Sequence, residues 1–249
     1  MNRRRFVISA AGVLLAATSS AAPRPRIAII IDDLGYQFAA GRRALGLPGP
    51  VAYSVLPETP YGRRLAQLAN DAGREVLLHL PLEAANHEGP PEPGSITLDM
   101  TRGALQATFA SAIDTVPFAV GVSSHRGSLL TRHPGHMAWL MQAIREREDL
   151  FFIDSYTTHE SIALQVAREE GVAATRRDVF LDHERSVDAV TREFARLKAK
   201  AQRKGHALGI GHPVAETLEV LERELPLLEA QGFELVTISE LIDAKRNRV

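Results

Sequence analysis

Short apolar runs alternate along the chain with segments whose apolar positions recur at helical spacing. The runs "RIAIII" (26–31), "VAYSVLP" (51–57), "EVLLHLP" (75–81), "FAVGVSSH" (118–125), "LFFIDS" (150–155) and "HALGIGHP" (206–213) read as strands. A further short strand is expected within "VAATRRDVFLDHE" and another in "FELVTISEL". Apolar runs without polar alternation mark strands covered on both faces, the habit of parallel sheets.

Helices fill the intervals. "YGRRLAQLANDAG" carries apolar residues at helical spacing and stops at a glycine, and Thr101 is placed to cap "TRGALQATFASAIDTV". "HMAWLMQAIRERE" is amphipathic, "VDAVTREFARLKAKAQRKG" runs to Gly205, and Pro226 should break the helix that holds it. Strand and helix alternate about seven times, which predicts an α/β domain with a parallel sheet, closed or nearly closed into a β/α barrel. A Pro- and Gly-rich stretch, "LEAANHEGPPEPGSITLDM", is a long loop, and its position after His79 makes it a candidate lid.

Composition adds bounds. The 249 residues are 45% hydrophobic and 24% charged with a net charge of −1, so no strongly basic face argues for nucleic acid. The chain has no cysteine, which excludes disulfides and thiolate chemistry. "MNRRRFVISAAGVLLAATSSAAPRP" has the basic start, apolar centre and small residues of a secretory signal, and "RRRF" resembles a twin-arginine export signal. Residues 1–22 are therefore set apart from one domain at 23–249, expected to be exported, periplasmic or extracellular. No later stretch is long and apolar enough to span a bilayer. Oligomeric state is left open.

The chemistry collects at strand ends, where β/α barrels carry their sites. Asp32 and Asp33 end the first strand, His79 the third and His125 the fourth. Asp154 ends the fifth, Asp182 and His183 close "RDVFLDHE", and His212 ends the "ALGIGHP" strand. Imidazoles with a carboxylate suit zinc or a similar divalent metal, which acidifies bound water. Two adjacent carboxylates at a strand end diverge, so one can ligate while the other takes a proton. The plain alternatives are a helix cap for the Asp pair and a core histidine for His79. His87, His133, His136, His159 and His206 read as solvated, and "RLKAKAQRKG" as a solvated helix face, with binding to an anionic envelope polymer as its alternative. Ser123 and Ser124 lack a nucleophile elbow and are candidates to hydrogen-bond substrate.

Taken in order, "IAIIIDDLG", "LLHLPLE", "GVSSHRGS", "FFIDSYT", "RDVFLD" and "GIGHPVAETL" resemble the divergent polysaccharide deacetylase family, from about Arg26 to Leu241. The resemblance implies a distorted parallel β/α barrel and metal-dependent removal of acyl groups from a carbohydrate. It implies Asp32 as base, Asp33, His79 and His125 as metal ligands, His212 as general acid and Asp154 as an orienting carboxylate. Asp182 is a further candidate for orientation or substrate contact, beside Ser124 and Arg126. The chain departs from the family at Tyr156, where an Arg is expected and which Arg126 would replace, and at Val214, where a second His is expected. The altered "SSHRGS" and "DSYT" motifs keep a second reading in view, a glycan-binding accessory module with weak or no catalysis. A third is a glycosidase pairing Asp32 or Asp33 with Asp154.

Overall fold

The computed structural model describes residues 23–86, 89–147 and 149–246. The signal-peptide expectation for residues 1–22 and the reading of His87 lie outside them. The first half of the domain contains β1 (Arg26–Leu34), α1 (Phe38–Ala44), β2 (Ala52–Val55), α2 (Gly62–Asp71), β3 (Val76–Leu82), α3 (Arg102–Thr115) and β4 (Ala119–Arg126). Next come α4 (Pro134–Arg145), β5 (Phe151–Asp154), α5 (Ala163–Glu169), β6 (Ala174–Arg176) and β7 (Val179–Phe180). The chain continues through α6 (Val187–Lys204), β8 (His206–Gly211), α7 (Ala215–Glu224), β9 (Glu234–Leu235) and α8 (Ile238–Arg246).

Local signals explain the boundaries. Thr101 Oγ1 accepts the Ala104 N–H and Ser186 Oγ accepts the Ala189 N–H, so α3 and α6 both start on side-chain caps. Gly205 closes α6 in the left-handed region at φ 79°. Pro226 falls in the short 3₁₀ turn that follows α7, as its missing N–H requires.

The sheet order is β6-β5-β4-β3-β2-β1-β8-β7, with β9 also on β1, and the strand pairings are parallel. Among the described residues the strands number nine rather than about seven, partly because the segment read as one short strand divides in two. β6 ends one edge and β7 the other, although only Arg177 and Asp178 lie between them. Three peptide steps reach at most about 11 Å, so the sheet must curl until its edges nearly meet. The Arg177 N–H donates to Asp154 O on β5, and the Asp178 N–H to Leu208 O on β8. One pair of residues thus sews the seam of a distorted barrel.

Strand alternation then sorts the side chains. Ile27, Ile29 and Ile31 of β1 join the large core shared with the helices, as do Leu78 and Leu80 of β3. Ala28, Ile30, Leu77, Phe151, Ile153, Leu208 and Ile210 form a second cluster inside the barrel, closed from below by Ile238, Leu241 and Ile242 of α8. Continuing that inward parity by two residues leads to Asp32, His79, Ser155 and His212. The same parity in β4 carries Gly121, Ser123 and His125. The barrel interior is therefore apolar below and polar at the C-terminal ends of its strands.

Candidate metal centre

Asp33, His79 and His125 converge at that end. Asp33 Oδ1 lies 3.1 Å from His79 Nε2 and 3.1 Å from His125 Nδ1, and the two nitrogens lie 3.1 Å apart. Asp33 has the parity that should turn it away from the interior. Its left-handed backbone, φ 60°, breaks the alternation and brings the carboxylate over the barrel mouth. Such a conformation costs a non-glycine residue about 1–2 kcal/mol. Left-handed residues also stand at Arg126, the end of β4, and at Tyr156, just past β5.

The other residues frame this triangle. Asp32 is buried, 2% exposed, with Oδ1 3.6 Å from His79 Nδ1 and 3.4 Å from Ser123 Oγ. His212 Nε2 lies 3.6 Å from Asp33 Oδ2. Its far nitrogen, Nδ1, is 2.9 Å from Asp182 Oδ1, and its backbone N–H donates to Asp182 Oδ2 at 2.7 Å. Thr217 Oγ1 also donates to Asp182 Oδ2, at 2.7 Å. Beside Asp33 and His212 opens a cleft of about 560 Å³, lined also by Tyr36, Arg185 and Pro213.

Charges in the centre are strongly coupled. Burial pushes the Asp33 carboxyl up, but hydrogen bonding and charge from His125 and His79 outweigh it and hold the group well below the usual range. Burial dominates at Asp32 and raises it, opposed by His79 and His212. Burial lowers His79, yet Asp32 and Asp33 leave it raised. His212 follows the same logic: burial opposes the charge, and Asp182 overrides it, lifting the imidazole to about 9.

The donor set fits a divalent metal. One carboxylate oxygen and two imidazole nitrogens, within 4.8 Å of one another, match the N/O chemistry of zinc sites. A tetrahedral ion with bonds of about 2.0–2.1 Å sets ligand atoms about 3.3 Å apart, close to the 3.1 Å edges here. Asp33 Oδ1 is also buried without a well-directed hydrogen bond, despite both nitrogens standing beside it. His125 Nε2 lies 3.1 Å from Glu92 Oε2 and 3.3 Å from Arg126 Nε; were Nδ1 to hold a metal, Nε2 would carry the proton and Glu92 would accept it.

Three expected site residues are placed differently from the rest. Asp154 has outward parity, and its oxygens accept the Tyr156 N–H and the Ser161 hydroxyl, both at 2.9 Å. Ser124 is buried, and its Oγ accepts the Ser155 N–H. Arg126, expected to replace the Arg absent at Tyr156, instead meets Glu92 Oε1 at 2.7 Å above His125. The guanidinium beneath the centre belongs to Arg177. It donates to Ser155 O at 2.6 Å and Tyr156 O at 2.9 Å, within electrostatic reach of Asp32, Asp154 and Asp182.

Sequence reading passed over Arg177 and Glu92. Arg177 is the first residue of "RDVFLD", so its signal lies inside that motif, although no role there is legible from sequence. Glu92 sits in the Pro-rich loop and had none beyond the loop's length. His136 corrects another expectation: it is buried rather than solvated, between His133 Nδ1 at 3.1 Å and Met100 O at 3.2 Å.

Residues 29–242 match the family described as divergent polysaccharide deacetylase. The chain belongs to that family. YibQ of Escherichia coli K12, an uncharacterised protein, is 35% identical over 220 residues, spanning 88% of this chain and 68% of that one. An uncharacterised protein of Agrobacterium tumefaciens C58 has the same fold, with a TM-score of 0.84 and 24% identity over 89% of this chain and 91% of its own. The fold extends to the catalytic domain of a peptidoglycan N-acetylglucosamine deacetylase from Eubacterium rectale, with a TM-score of 0.56 and 15% identity over 90% and 93%. It extends equally to a CE4-family pseudoenzyme from Bacillus anthracis, with a TM-score of 0.56 and 14% identity over 89% and 66%. Within the divergent polysaccharide deacetylase family, then, this chain has the barrel and a cluster able to hold a metal. No helix among the described residues is long and apolar enough to cross a membrane.

Proposed function

We propose that the protein is an exported, metal-dependent hydrolase that removes acyl groups, acetyl foremost, from a cell-envelope carbohydrate. One observation carries the reading: the mutual 3.1 Å triangle of Asp33, His79 and His125, open to a cleft beside His212. A divalent cation, zinc or one of similar preference, would supply Lewis acidity there when bound. Asp32 accepts the proton of the attacking water. His212 holds its outer nitrogen on Asp182 and turns Nε2 to the centre, where it protonates the leaving amine or alcohol. Asp154 positions the strand ends around this chemistry rather than touching substrate, and Arg177 braces them through the carbonyls of Ser155 and Tyr156.

Export is proposed on the N-terminal sequence, with the periplasm or extracellular space as destination. The alternative, glycan binding with little or no turnover, draws on the "SSHRGS" and "DSYT" motifs, where the family pattern is altered.

The deciding experiment combines elemental analysis with acetate release from acetylated envelope glycans, using protein purified without chelators or a His-tag. Near-stoichiometric metal, lost in His79→Ala/His125→Ala, together with acetate release, is expected. Asp32→Asn should retain the metal and lose turnover. Glycan binding without metal or acetate in the parent protein would overturn the hydrolase and establish the binding module.

A further inference from the structure

A groove of about 1410 Å³ follows the seam where β6 gives way to β7. Its upper end is walled by Tyr156, Arg177 and Phe180. Phe180 packs edge-on to His212 with ring centroids 5.4 Å apart, and Arg177 is bonded to the strand ends beneath the metal centre. Groove and centre therefore share a wall.

Below that end the lining is cationic. Arg196, Lys200 and Lys204 recur every four residues along one face of α6, over about 12 Å. Arg168 of α5, Arg176 of β6 and Lys245 of α8 also line it. With Arg177 that makes seven Lys and Arg against two acids, Asp178 and Glu193. The excess of five positive charges belongs to a chain whose net charge is −1. The "RLKAKAQRKG" stretch, which reads in sequence as a solvated face or an anionic-polymer contact, is one wall of this groove.

Arg196 is ion-paired with Glu193 at 3.2 Å and Lys204 with Asp178 at 2.9 Å, while four other cations meet neutral groups. Lys200 Nζ donates to Asp178 O at 2.6 Å and Lys245 Nζ to Thr175 Oγ1 at 2.5 Å. The Arg176 guanidinium lies 4.1 Å from the Tyr156 ring centroid, and that of Arg177 lies 4.6 Å from the Phe180 ring centroid. The Asp178 carboxylate is taken by Lys204 and the Leu208 N–H. Burial holds the Lys245 ammonium below its usual value; Asp178 opposes that, and the repulsion of Lys204, Arg168 and Arg176 adds smaller contributions in the same downward direction. Like charges gathered at such a cost are relieved by an anionic ligand.

We propose that this groove binds the acidic stretch of a carboxylate-bearing glycan whose acylated residue lies at the Asp33–His79–His125 centre. The shared wall selects a glycan, and to that extent the inference rests on the proposed function. The concave shape favours a chain over a flat bilayer.

The test is fluorescence anisotropy with labelled hexagalacturonate and labelled chitohexaose, on the full chain stripped of metal so that turnover cannot interfere. Hexagalacturonate should bind at least tenfold more tightly, and more weakly as salt rises. Arg168→Glu/Arg196→Glu should remove at least tenfold of that affinity. Arg63→Glu/Arg102→Glu, an equal charge change outside the groove, should leave it unaltered, with all variants equally folded by circular dichroism. Equal affinity for both hexamers, no binding of either, or equal loss in both variant pairs would overturn the proposal. So would sedimentation with phosphatidylglycerol vesicles in place of hexagalacturonate binding. Acidic-glycan binding without acetate release under any metal would leave the groove assigned and overturn the hydrolase. Release from neutral chitohexaose without preference for acidic chains would do the reverse.

Discussion

Asp182 grips His212 twice, through the backbone N–H at 2.7 Å and through Nδ1 at 2.9 Å. With the Thr217 hydroxyl, three donors converge on one buried carboxylate. Asp182→Ala would leave a buried N–H and hydroxyl unpartnered, at a cost of about 3 kcal/mol. Urea unfolding should show that loss as a lower midpoint at unchanged slope. Asp182→Asn retains one acceptor oxygen and should lose less stability, while acetate release falls about 100-fold because His212 is no longer aimed. Equal turnover in the Asn variant would exclude Asp182 from positioning the acid.

Glu92 comes from the Pro-rich loop and stands between His125 Nε2 and Arg126. A carboxylate behind a ligating imidazole fixes its tautomer, and losing one weakens metal binding about 10–100-fold. Glu92→Gln should show that loss in competition with a chromophoric chelator, with little change in thermal midpoint. A parallel His125→Ala variant should bind no metal at all. Unchanged affinity in Glu92→Gln would reduce the Glu92 contact to loop packing.

Asp178 gives a pH dependence remote from the centre. Burial raises its carboxyl, but the Lys204 hydrogen bond and the Leu208 N–H prevail, so its pKa is lowered on folding. A depressed carboxyl contributes stability above its unfolded value, near about 3.9, and loses that contribution as pH falls through the folded value. The parent protein should therefore lose more stability than Asp178→Asn on acidification below about pH 4. Lys204 is half exposed, so salt screening keeps the difference small. Urea midpoints across pH 3–7 (about four pH units, bracketing that value) would decide it.

Gly121 is required by a neighbour. A Cβ there would lie 2.4 Å from the Phe151 ring, the side chain opposite it in the β4–β5 register. Gly121→Ala should destabilise by about 1–3 kcal/mol through overpacking. Adding Phe151→Leu should recover part of the loss in a double-mutant cycle. Additive losses would place the strain elsewhere.

The amino-acid sequence by itself determined the parallel sheet, because unbroken apolar runs such as "IAIII" have only two-sided burial open to them. It also determined that Asp32, Asp33, His79, His125 and His212 lie at one end, since each follows its run. Caps at Thr101 and Gly205 and the break at Pro226 were equally local. Tertiary structure decided the rest. Strand parity separates His79 and Ser123 inside from Asp154 and Ser124 outside, and the register of nine strands sets which ends become neighbours. The left-handed turn at Asp33 overrides parity and could not be read from its residue type. Glu92 and Arg177 reach the centre through a long loop and a two-residue seam, where no periodicity exists to read. The seam groove has the same cause: Arg168, Arg196 and Lys245 come from three helices that meet only when the sheet curls shut. Local patterns depend on neighbours along the chain, whereas these contacts depend on closure of the barrel.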